Sequence, residues 1–423
     1  MTALSTSIGI LLACLACAQA AAQDLVITNA RIIDGNGGVI DNGTVMIADG
    51  RIASVSESAP AGGGALDAGG MTVMPGFIDA HRHIMDGDPD RWLREQADER
   101  MREFLEGGFT TVLSAGDPLE QILELRERLD EGDIEGPRLI AAGRVPLARG
   151  GPQRPPGVDP ARSDASRAPR TAPAEAIPEE ETRSAVRALA EAGVDAIKNV
   201  ITVTPGGPEK KTLMTVVDEA HRHGIPVITH AVTVEDTLAA VEAGVDVLVH
   251  TPHIGQLTEA QAERIASAGI PMMSTLGVFV PAFAEDNARI RERTGRDNVA
   301  RFRDLEPYPM SHLPSAGQGP VNARMLWDAG IVYGYGTDTR FLPRDSLAHE
   351  LRPLRLVFSA ADIVAMMTRN AAETVGLAGE IGTLETGKIA DLVLIDGNPL
   401  ADIHDVLKVA VVIKGGRIVV DNR

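Results

Sequence analysis

The chain has 423 residues, of which 44% are hydrophobic but only 3% are aromatic, so its core has to be built mainly from aliphatic side chains. Its formal net charge of -19 at pH 7 excludes a protein that binds nucleic acid or an anionic membrane surface by electrostatic attraction. The length suits one large barrel-type domain or two to three smaller domains.

The N-terminal segment predicts export. Residues 1–22 carry no charge and contain an apolar run from Ile8 to Ala18, followed by small residues that offer a cleavage site. We therefore expect a signal peptide over residues 1–22 and a periplasmic protein; the run is too short to span a membrane. The sequence before Cys14 also resembles a lipoprotein cleavage box, which leaves a lipid anchor as the alternative. Both cysteines, Cys14 and Cys17, lie in this segment, so the mature chain is expected to have no disulfide.

Residues 23–73 and 381–423 share a pattern of short apolar strands separated by turns rich in glycine, aspartate and asparagine. The turn at residues 34–38 and the strand at residues 390–395 are examples. Because the same pattern occurs at both ends, it predicts one composite β-sandwich domain built from both termini. Two independent end caps are the alternative.

Between these blocks, over residues 74–380, strand and helix patterns alternate, which predicts an α/β fold with a (β/α)8 TIM-type barrel. The eight predicted barrel strands are Met74–Ala80, Thr110–Ser114, Arg138–Ala142, Asp195–Val200, Pro226–His230, Asp246–His250, Pro271–Thr275 and Ile331–Tyr335. Helical spacing of apolar residues is found between several of them, for example at Glu181–Ala192, Thr212–His223 and Val234–Ala243. Two long connections, residues 143–178 and 280–320, are rich in proline and are expected to be substrate lids or disordered loops.

The strongest chemical signal is the pair His81 and His83 after the first predicted barrel strand. Residues at i and i+2 of a strand point to the same side, so the two imidazoles can hold one metal ion; a structural histidine pair is the alternative. Residue types found in metal sites recur at the ends of later strands, at Lys198, His230, His250 and Asp338. The chemistry of such barrels lies at the C-terminal ends of the strands, so these six residues predict a metal site.

Each of the later residues also has a structural interpretation. A lone lysine such as Lys198 in an apolar strand is costly to bury unless its charge is removed or paired, and a snorkelling or salt-bridged side chain is the alternative. His230 and His250 could be hydrogen-bonded core histidines. Asp338 could cap the N-terminus of a helix, a position that aspartate favours.

In this order the motifs resemble those of the amidohydrolase superfamily of metal-dependent hydrolases, over nearly the whole mature chain. The segments MPGFIDAHRH, DAIKNV, PVITHA, DVLVHT and GTDT resemble the strands of its metal site, and TGKIADLVLIDGNPL resembles its C-terminal sandwich. The most similar branch holds imidazolonepropionase-like enzymes and exported Xaa-Pro or Xaa-Arg dipeptidases. Two features depart from the family pattern: Arg82, where an apolar residue or threonine is more usual, and the loop 143–178.

The resemblance implies a site for two divalent metal ions, with zinc as the expected metal. It assigns His81, His83 and Asp338 to the more buried ion, and His230 and His250 to the second. Lys198 is expected to be N-carboxylated and to bridge both ions, because a free ammonium group cannot bind a cation. Asp338 is expected to take a proton from the bridging water and pass it to the leaving nitrogen.

We therefore expect a hydrolase that cleaves the C–N bond of a small cyclic amide, a dipeptide-like substrate or an N-acyl amino acid with metal-activated hydroxide. The weaker substrate-binding candidates are His253, Tyr308 and Arg144, and the arginine could bind a substrate carboxylate. The alternatives are a one-metal deaminase or imidazolone-type hydrolase, against which Lys198 argues, and a non-catalytic barrel that only binds a ligand. The expected partner is a small-molecule substrate, and homo-oligomerisation is left open.

Overall fold

The computed structural model describes residues 25–57, 66–149, 173–279 and 313–423. The predicted signal peptide, Cys14 and Tyr308 lie outside the described residues. Of the two long predicted connections, residues 150–172 and 280–312 also lie outside them.

One mixed sheet is built from both ends of the chain. Its strands are β1 (Leu25–Ile33), β2 (Val39–Ala48), β3 (Arg51–Ser56), β4 (Leu66–Asp67), β5 (Thr72–Pro75), β14 (Leu392–Ile395), β15 (Val409–Lys414) and β16 (Arg417–Asp421). They lie in the order β16-β15-β14-β5-β1-β2-β3, with β4 beside β1. The antiparallel pair of β14 and β5, in which Leu392 faces Pro75, joins the two ends. The prediction that both termini contribute to one β-structure is therefore confirmed.

The second sheet has eight parallel strands in consecutive order, which confirms the predicted TIM-type barrel. The strands are β6 (Phe77–Arg82), β7 (Phe109–Ser114), β8 (Arg138–Arg144), β9 (Ala196–Val200), β10 (Val227–His230), β11 (Val247–Val249), β12 (Met272–Met273) and β13 (Tyr333–Gly334). The first and last strands meet where the Ala80 amide donates to the Tyr335 carbonyl at 3.0 Å and the Asp338 amide donates to the His81 carbonyl at 2.8 Å. The barrel is thus nearly closed, and the strand C-termini surround one mouth.

Helices connect the barrel strands and cover them from outside. They are α1 (Pro89–Glu95), α2 (Ala97–Glu106), α3 (Leu119–Glu131), α4 (Glu179–Glu191), α5 (Glu209–Arg222), α6 (Val234–Ala243), α7 (Glu259–Ser267), α8 (Leu313–Asp328), α9 (Pro343–Leu354), α10 (Ala360–Ala365) and α11 (Ala371–Thr374). Local capping explains where some of these helices begin. For example, Thr258 and Gln261 form a capping box at the start of α7. In the part of the chain that the structure describes, no helix combines the length and apolar character that a membrane crossing requires.

The first predicted barrel strand, Met74–Ala80, is not continuous. Thr72–Pro75 belongs to the terminal sheet and the barrel strand begins at Phe77, so the boundary between the sheets lies at Gly76. A glycine suits this crossing because a Cβ atom there would lie 2.3 Å from the Thr110 Oγ1. An apolar run carries no local signal that separates one strand from two strands of different sheets.

The predicted loop 280–320 is wrong at its C-terminal end, because helix α8 begins at Leu313. The prolines of this segment favour a loop, but Pro314 falls in the first turn of α8, where a missing amide proton breaks no intrahelical hydrogen bond. The other predicted loop, 143–178, begins later than expected, since β8 continues to Arg144.

Candidate metal centre

The six predicted site residues lie at the mouth of the barrel. They are His81 in β6, His83 just after it, Lys198 in β9, His230 at the end of β10, His250 just after β11 and Asp338 in the loop after β13. Because the strands are parallel, side chains from distant parts of the sequence converge at this end.

Asp338 lies at the centre of the group. Its Oδ1 is 3.1 Å from the His83 Nε2 and 3.4 Å from the His81 Nε2. Its Oδ2 is 3.8 Å from the His250 Nε2. Ligand atoms of His81, His83 and Asp338 all lie within 4.8 Å of one another. One carboxylate therefore connects the histidine pair of the first barrel strand to the histidine that follows the sixth.

His230 and Lys198 complete the group. The His230 and His250 ring centroids are 4.2 Å apart, and those of His250 and His81 are 5.3 Å apart. The Lys198 side chain is buried, and its Nζ has no hydrogen-bond partner among the described residues. Neither a snorkelling nor a salt-bridged lysine is therefore observed at this position.

Three residues of the mouth have a left-handed backbone. The φ angles are 76° at His250, 44° at Thr275 and 50° at Asp338. This region is uncommon for residues other than glycine, above all for a β-branched residue, and such strain persists only where the surroundings impose it. Asp338 is not a helix cap, because α9 begins at Pro343 and its N-cap is Leu342.

The buried histidines are neutral. Burial lowers the pKa of His81 to about 3, and the nearby Lys198 contributes to the same shift. Burial also lowers the pKa of His230 and of His250 well below the usual value. A neutral imidazole carries the lone pair that a metal ion requires, so these side chains are in the protonation state of ligands.

The pKa values of the two other ionisable groups, Asp338 and Lys198, are shifted in directions that suit a cation site. Burial raises the pKa of Asp338, but hydrogen bonds from His81 and His83 outweigh burial and hold the pKa well below its usual value. Burial lowers the pKa of Lys198 to about 7, an effect that Asp338 opposes and Arg144 reinforces. Asp338 is thus an anion, and Lys198 is partly a neutral amine at neutral pH.

The donor set fits a divalent ion. Zinc bonds of about 2.0–2.1 Å in tetrahedral geometry place ligand atoms about 3.3 Å apart. The distances of 3.4 and 3.1 Å from the Nε2 atoms of His81 and His83 to the Asp338 Oδ1 agree with this spacing. The Lys198 Nζ adds a buried polar atom without a hydrogen-bond partner among the described residues, which is costly unless another group satisfies it.

Arg82, between the two histidines, points away from the group and toward α2. Its guanidinium donates to the Thr337 Oγ1 and the Thr339 Oγ1, both at 3.1 Å. Thr337 Oγ1 in turn donates to the Asp79 Oδ2 at 2.7 Å. Arg82 therefore holds both neighbours of Asp338, so the residue that departs from the usual motif supports the loop of the central carboxylate.

Two of the three predicted substrate-binding residues can be placed. Arg144 is the exposed last residue of β8, and its side chain lies across Gly116, where a Cβ atom would be 2.6 Å from the Arg144 Cγ. Among the described residues, no carboxylate pairs with its guanidinium. His253 is buried, and its amide donates to the Val232 carbonyl at 3.0 Å, which holds it beside the end of β10. Tyr308 lies outside the described residues.

Four polar residues that support the group were not predicted from the sequence: Asp79, Asp117, Thr275 and Glu350. Asp117 accepts hydrogen bonds from the amides of the two residues after His83, at 2.9 and 3.2 Å. Thr275 Oγ1 lies 2.6 Å from the His250 Nδ1. Asp79 and Thr275 stand in or at the end of predicted strands, which is a usable signal. Asp117 in a loop and Glu350 in a helix carry no local signal.

Comparisons with known proteins agree with this architecture. A family model described as the Amidohydrolase family matches residues 72–419. The crystal structure of a candidate prolidase from Bifidobacterium longum is 27% identical, with a TM-score of 0.73, and the alignment covers 95% of this chain and 97% of that chain.

Curated relatives are similar at lower coverage or lower identity. A 5-methylthioadenosine/S-adenosylhomocysteine deaminase from Symbiobacterium thermophilum is 25% identical over 88% of this chain and 85% of its own length. An imidazolonepropionase from Thermoanaerobacter pseudethanolicus is 28% identical over 43% of this chain, and the match spans 36% of that relative. A dihydroorotase from Geobacter sp. (strain M21), 40% identical, is matched over 21% of each chain. Since the family match extends from β5 through the whole barrel to β16, the chain belongs to the amidohydrolase family, whose members are metal-dependent hydrolases.

Proposed function

We propose that this protein is a two-metal amidohydrolase that hydrolyses the amide C–N bond of a small substrate. One observation carries the proposal: an ionised buried carboxylate, Asp338, lies within 3.1 to 3.8 Å of three histidines at the mouth of the barrel. A protein that only binds a ligand does not require this arrangement. The six predicted site residues are all present, which also argues against a non-catalytic barrel.

The donor set divides into two halves. His81, His83 and Asp338 would hold one divalent ion, and His230 and His250 would hold the second, with zinc as the metal that this nitrogen-rich set favours. Lys198 would join the two ions as a carbamate. In that reaction the neutral Nζ would form a bond to the carbon of carbon dioxide, one C–O π bond would open to give an oxyanion, and one amine proton would pass to solvent. A group that repels cations would thereby become an anion with two oxygen atoms. The burial that lowers the pKa of Lys198 to about 7 supplies the neutral amine.

The bound ions would acidify a water molecule and polarise the scissile carbonyl. The chain's own contribution to proton transfer is Asp338, which its low pKa keeps ionised and therefore able to accept a proton. The carboxylate then returns that proton to the leaving nitrogen, which must be protonated before it departs as an amine. Hydrogen bonds from Arg82 to both neighbours of Asp338 fix the carboxylate during this exchange.

The surroundings of the mouth favour a substrate with a free carboxylate. Arg144 offers an exposed guanidinium beside Lys198, with its stem held against Gly116 and no protein carboxylate as partner among the described residues. A guanidinium in this state suits bidentate contact with a carboxylate. We propose an N-acyl amino acid or a dipeptide as the substrate, which agrees with the likeness to a candidate prolidase. His253 would contact the substrate on the side of β10, and Tyr308 stays a candidate from the sequence.

Metal content is the first expected result. Purified protein supplied with zinc and bicarbonate should carry about two divalent ions per chain, because the site offers ligands for two. His81→Ala should lower both the metal content and the amidase activity. His221→Ala is the matched control, because His221 is exposed on α5 and pairs with Asp246. Elemental analysis that finds one ion or fewer in the wild type would rule out the two-metal site.

Arg144→Met should raise KM for dipeptides about 10- to 100-fold, because it removes a charge-assisted hydrogen bond to the substrate carboxylate. For the same dipeptides with a C-terminal amide, the substitution should change KM little, since these substrates offer no carboxylate. Hydrolysis of both series by the zinc-loaded protein measures this difference. Arg149→Met is the control, because Arg149 already pairs with Glu181. An equal rise in KM for the free dipeptides and for their C-terminal amides would exclude Arg144 as the binding site for the substrate carboxylate.

The second candidate function is a one-metal deaminase, which the likeness to the Symbiobacterium thermophilum deaminase favours. An imidazolone-type hydrolase is a variant of it. Such an enzyme would need no bridging lysine. The burial of Lys198, without a hydrogen-bond partner in the part of the chain that the structure describes, therefore argues against it. One ion per chain together with ammonia release from an aminopurine would establish this alternative.

Residues 1–22 are proposed to direct export to the periplasm. The support is the uncharged apolar run followed by small residues. The mass of the protein recovered from periplasmic extract tests this, because cleavage after residue 20 or 22 removes both cysteines. A lipid-modified Cys14 would indicate a membrane anchor instead.

A further inference from the structure

The turn that follows β12 presents Thr275 to the metal centre in a strained conformation. Thr275 is a β-branched residue with φ 44°, and its amide donates to the Gly336 carbonyl at 3.1 Å. Its Oγ1 lies 2.6 Å from the His250 Nδ1. The opposite ring nitrogen, Nε2, therefore faces Asp338. A backbone in this region needs external support, because it is unfavourable for threonine on its own.

Glu350 of α9 supplies that support from the far side of the turn. Its Oε1 accepts hydrogen bonds from the Ser274 Oγ and from the Leu276 amide, both at 2.8 Å. Its Oε2 accepts one from the Gly277 amide at 2.5 Å. The carboxyl group thus holds the residues on both sides of Thr275 through these hydrogen bonds.

A second residue of α9 also contacts this turn at Gly277. His349, the neighbour of Glu350, has its Nε2 2.7 Å from the Gly277 carbonyl oxygen. A Cβ atom at Gly277 would lie 2.7 Å from the Glu350 Oε2 and 2.9 Å from the His349 Cδ2. Only glycine allows helix and turn to approach this closely. Two consecutive residues of α9, His349 and Glu350, therefore both fix the position of the turn beside the barrel mouth.

We propose that Glu350 is a positioning residue that fixes the ring orientation and tautomer of His250 through the turn at Thr275. The inference rests on the proposed function, in which His250 holds a metal ion. A histidine ligand keeps one nitrogen for the metal only if the other has a defined hydrogen-bond partner. With Thr275 held in place, the His250 Nδ1 carries the proton and Nε2 keeps its lone pair. Without the carboxylate, the turn can relax and the partner of Nδ1 is lost.

Glu350 is not required by the packing of the helix, since α9 also buries Leu347, Leu351 and Leu354 against the barrel. A purely structural role predicts that a substitution lowers thermal stability and leaves the metal affinity of the folded protein unchanged. A positioning role predicts a loss of affinity for one of the two ions. It also predicts that this loss depends on Thr275.

The experiment is chelator competition on the zinc-loaded full chain. Glu350→Gln keeps the shape but turns an NH2 group toward donors, so the more weakly bound ion should be held about 10- to 100-fold less tightly. Thr275→Val should have the same effect, and Thr275→Ser should keep most of the affinity. The double variant Glu350→Gln/Thr275→Val should lose no more than Thr275→Val alone, because both act on one contact. Glu219→Gln is the control, a buried glutamate that pairs with Arg183 and Arg187 on the outer helices.

Two further measurements keep the result interpretable. If Glu350→Gln does not fold, Glu350→Asp keeps the carboxyl group with a shorter reach and should weaken binding of the same ion about 10-fold. Nitrogen-15 shifts of the metal-free protein should show a single His250 tautomer in the wild type and a mixture in the Glu350 variant. Wild-type affinity and tautomer in a folded Glu350 variant, or losses that add to those of Thr275→Val, would overturn the proposal. A wild-type protein that binds fewer than two ions would instead contradict the proposed function, and the tautomer measurement would still test Glu350.

Discussion

Replacing Lys198 with alanine is expected to abolish amide hydrolysis. The substitution removes the proposed bridge between the ions, and metal assistance supplies several kcal/mol of transition-state stabilisation, so the rate should fall by about 10³-fold or more. Short carboxylic acids such as acetate should partly restore the rate, because the cavity left by the buried side chain can admit a carboxylate in place of the carbamate. The measurements are kcat and zinc content, each with and without the added acid.

Lys210→Ala is the control for this experiment, because Lys210 is partly exposed on α5 and pairs with Glu242. It should change neither the rate nor the metal content. A Lys198→Ala protein with wild-type zinc and a wild-type rate would show that the bridge is wrongly assigned. Loss of activity with full zinc occupancy and no rescue by acids would make Lys198 a structural residue.

Replacing Asp338 with asparagine is expected to lower kcat by about 10²-fold or more, the usual scale for the loss of general acid–base assistance. The amide keeps the shape of the side chain but cannot accept the proton of the attacking water. Zinc content should fall less than kcat does, because the histidines and Lys198 remain. Asp328→Asn is the control, since Asp328 is exposed at the end of α8 and pairs with Arg324.

The pH profile of kcat/KM separates a proton carrier from a ligand alone. In the wild type the rate should fall as the pH is lowered, because Asp338 must be ionised to accept a proton. The hydrogen bonds from His81 and His83 that hold its pKa low place this acidic limb below neutrality. The limb reports the coupled titration of Asp338 and the attacking water and belongs to neither alone. If Asp338→Asn keeps both the rate and the limb, the proton carrier lies elsewhere, and His253 is the next candidate.

The barrel and the convergence of the six predicted site residues at its mouth could be predicted from local patterns. Eight short apolar runs alternating with helical spacing are enough to predict a parallel barrel, because few other folds satisfy that alternation. In such a barrel every strand ends at the same mouth. Polar residues at strand ends, such as His230 and His250, are therefore neighbours whatever their separation along the chain. The proximity of His81, Lys198 and Asp338 follows from the same reasoning.

Other features were decided by contacts between distant segments. The division of the run Met74–Ala80 at Gly76 depends on a crossing against Thr110, which no local pattern reports. The direction of Arg82 depends on Thr337 and Thr339, more than 250 residues away in sequence. The hydrogen bonds that Glu350 accepts come from a turn that lies 73 to 76 residues earlier.

The physical reason is the range of the interactions involved. Strand and helix periodicity, turn chemistry and the identity of ligand side chains are properties of a few consecutive residues, so they can be read from the sequence. The protonation of Lys198, the strain at Thr275 and the orientation of His250 arise from burial and from hydrogen bonds between elements. These exist only when the barrel has closed, and the tertiary structure alone determines them.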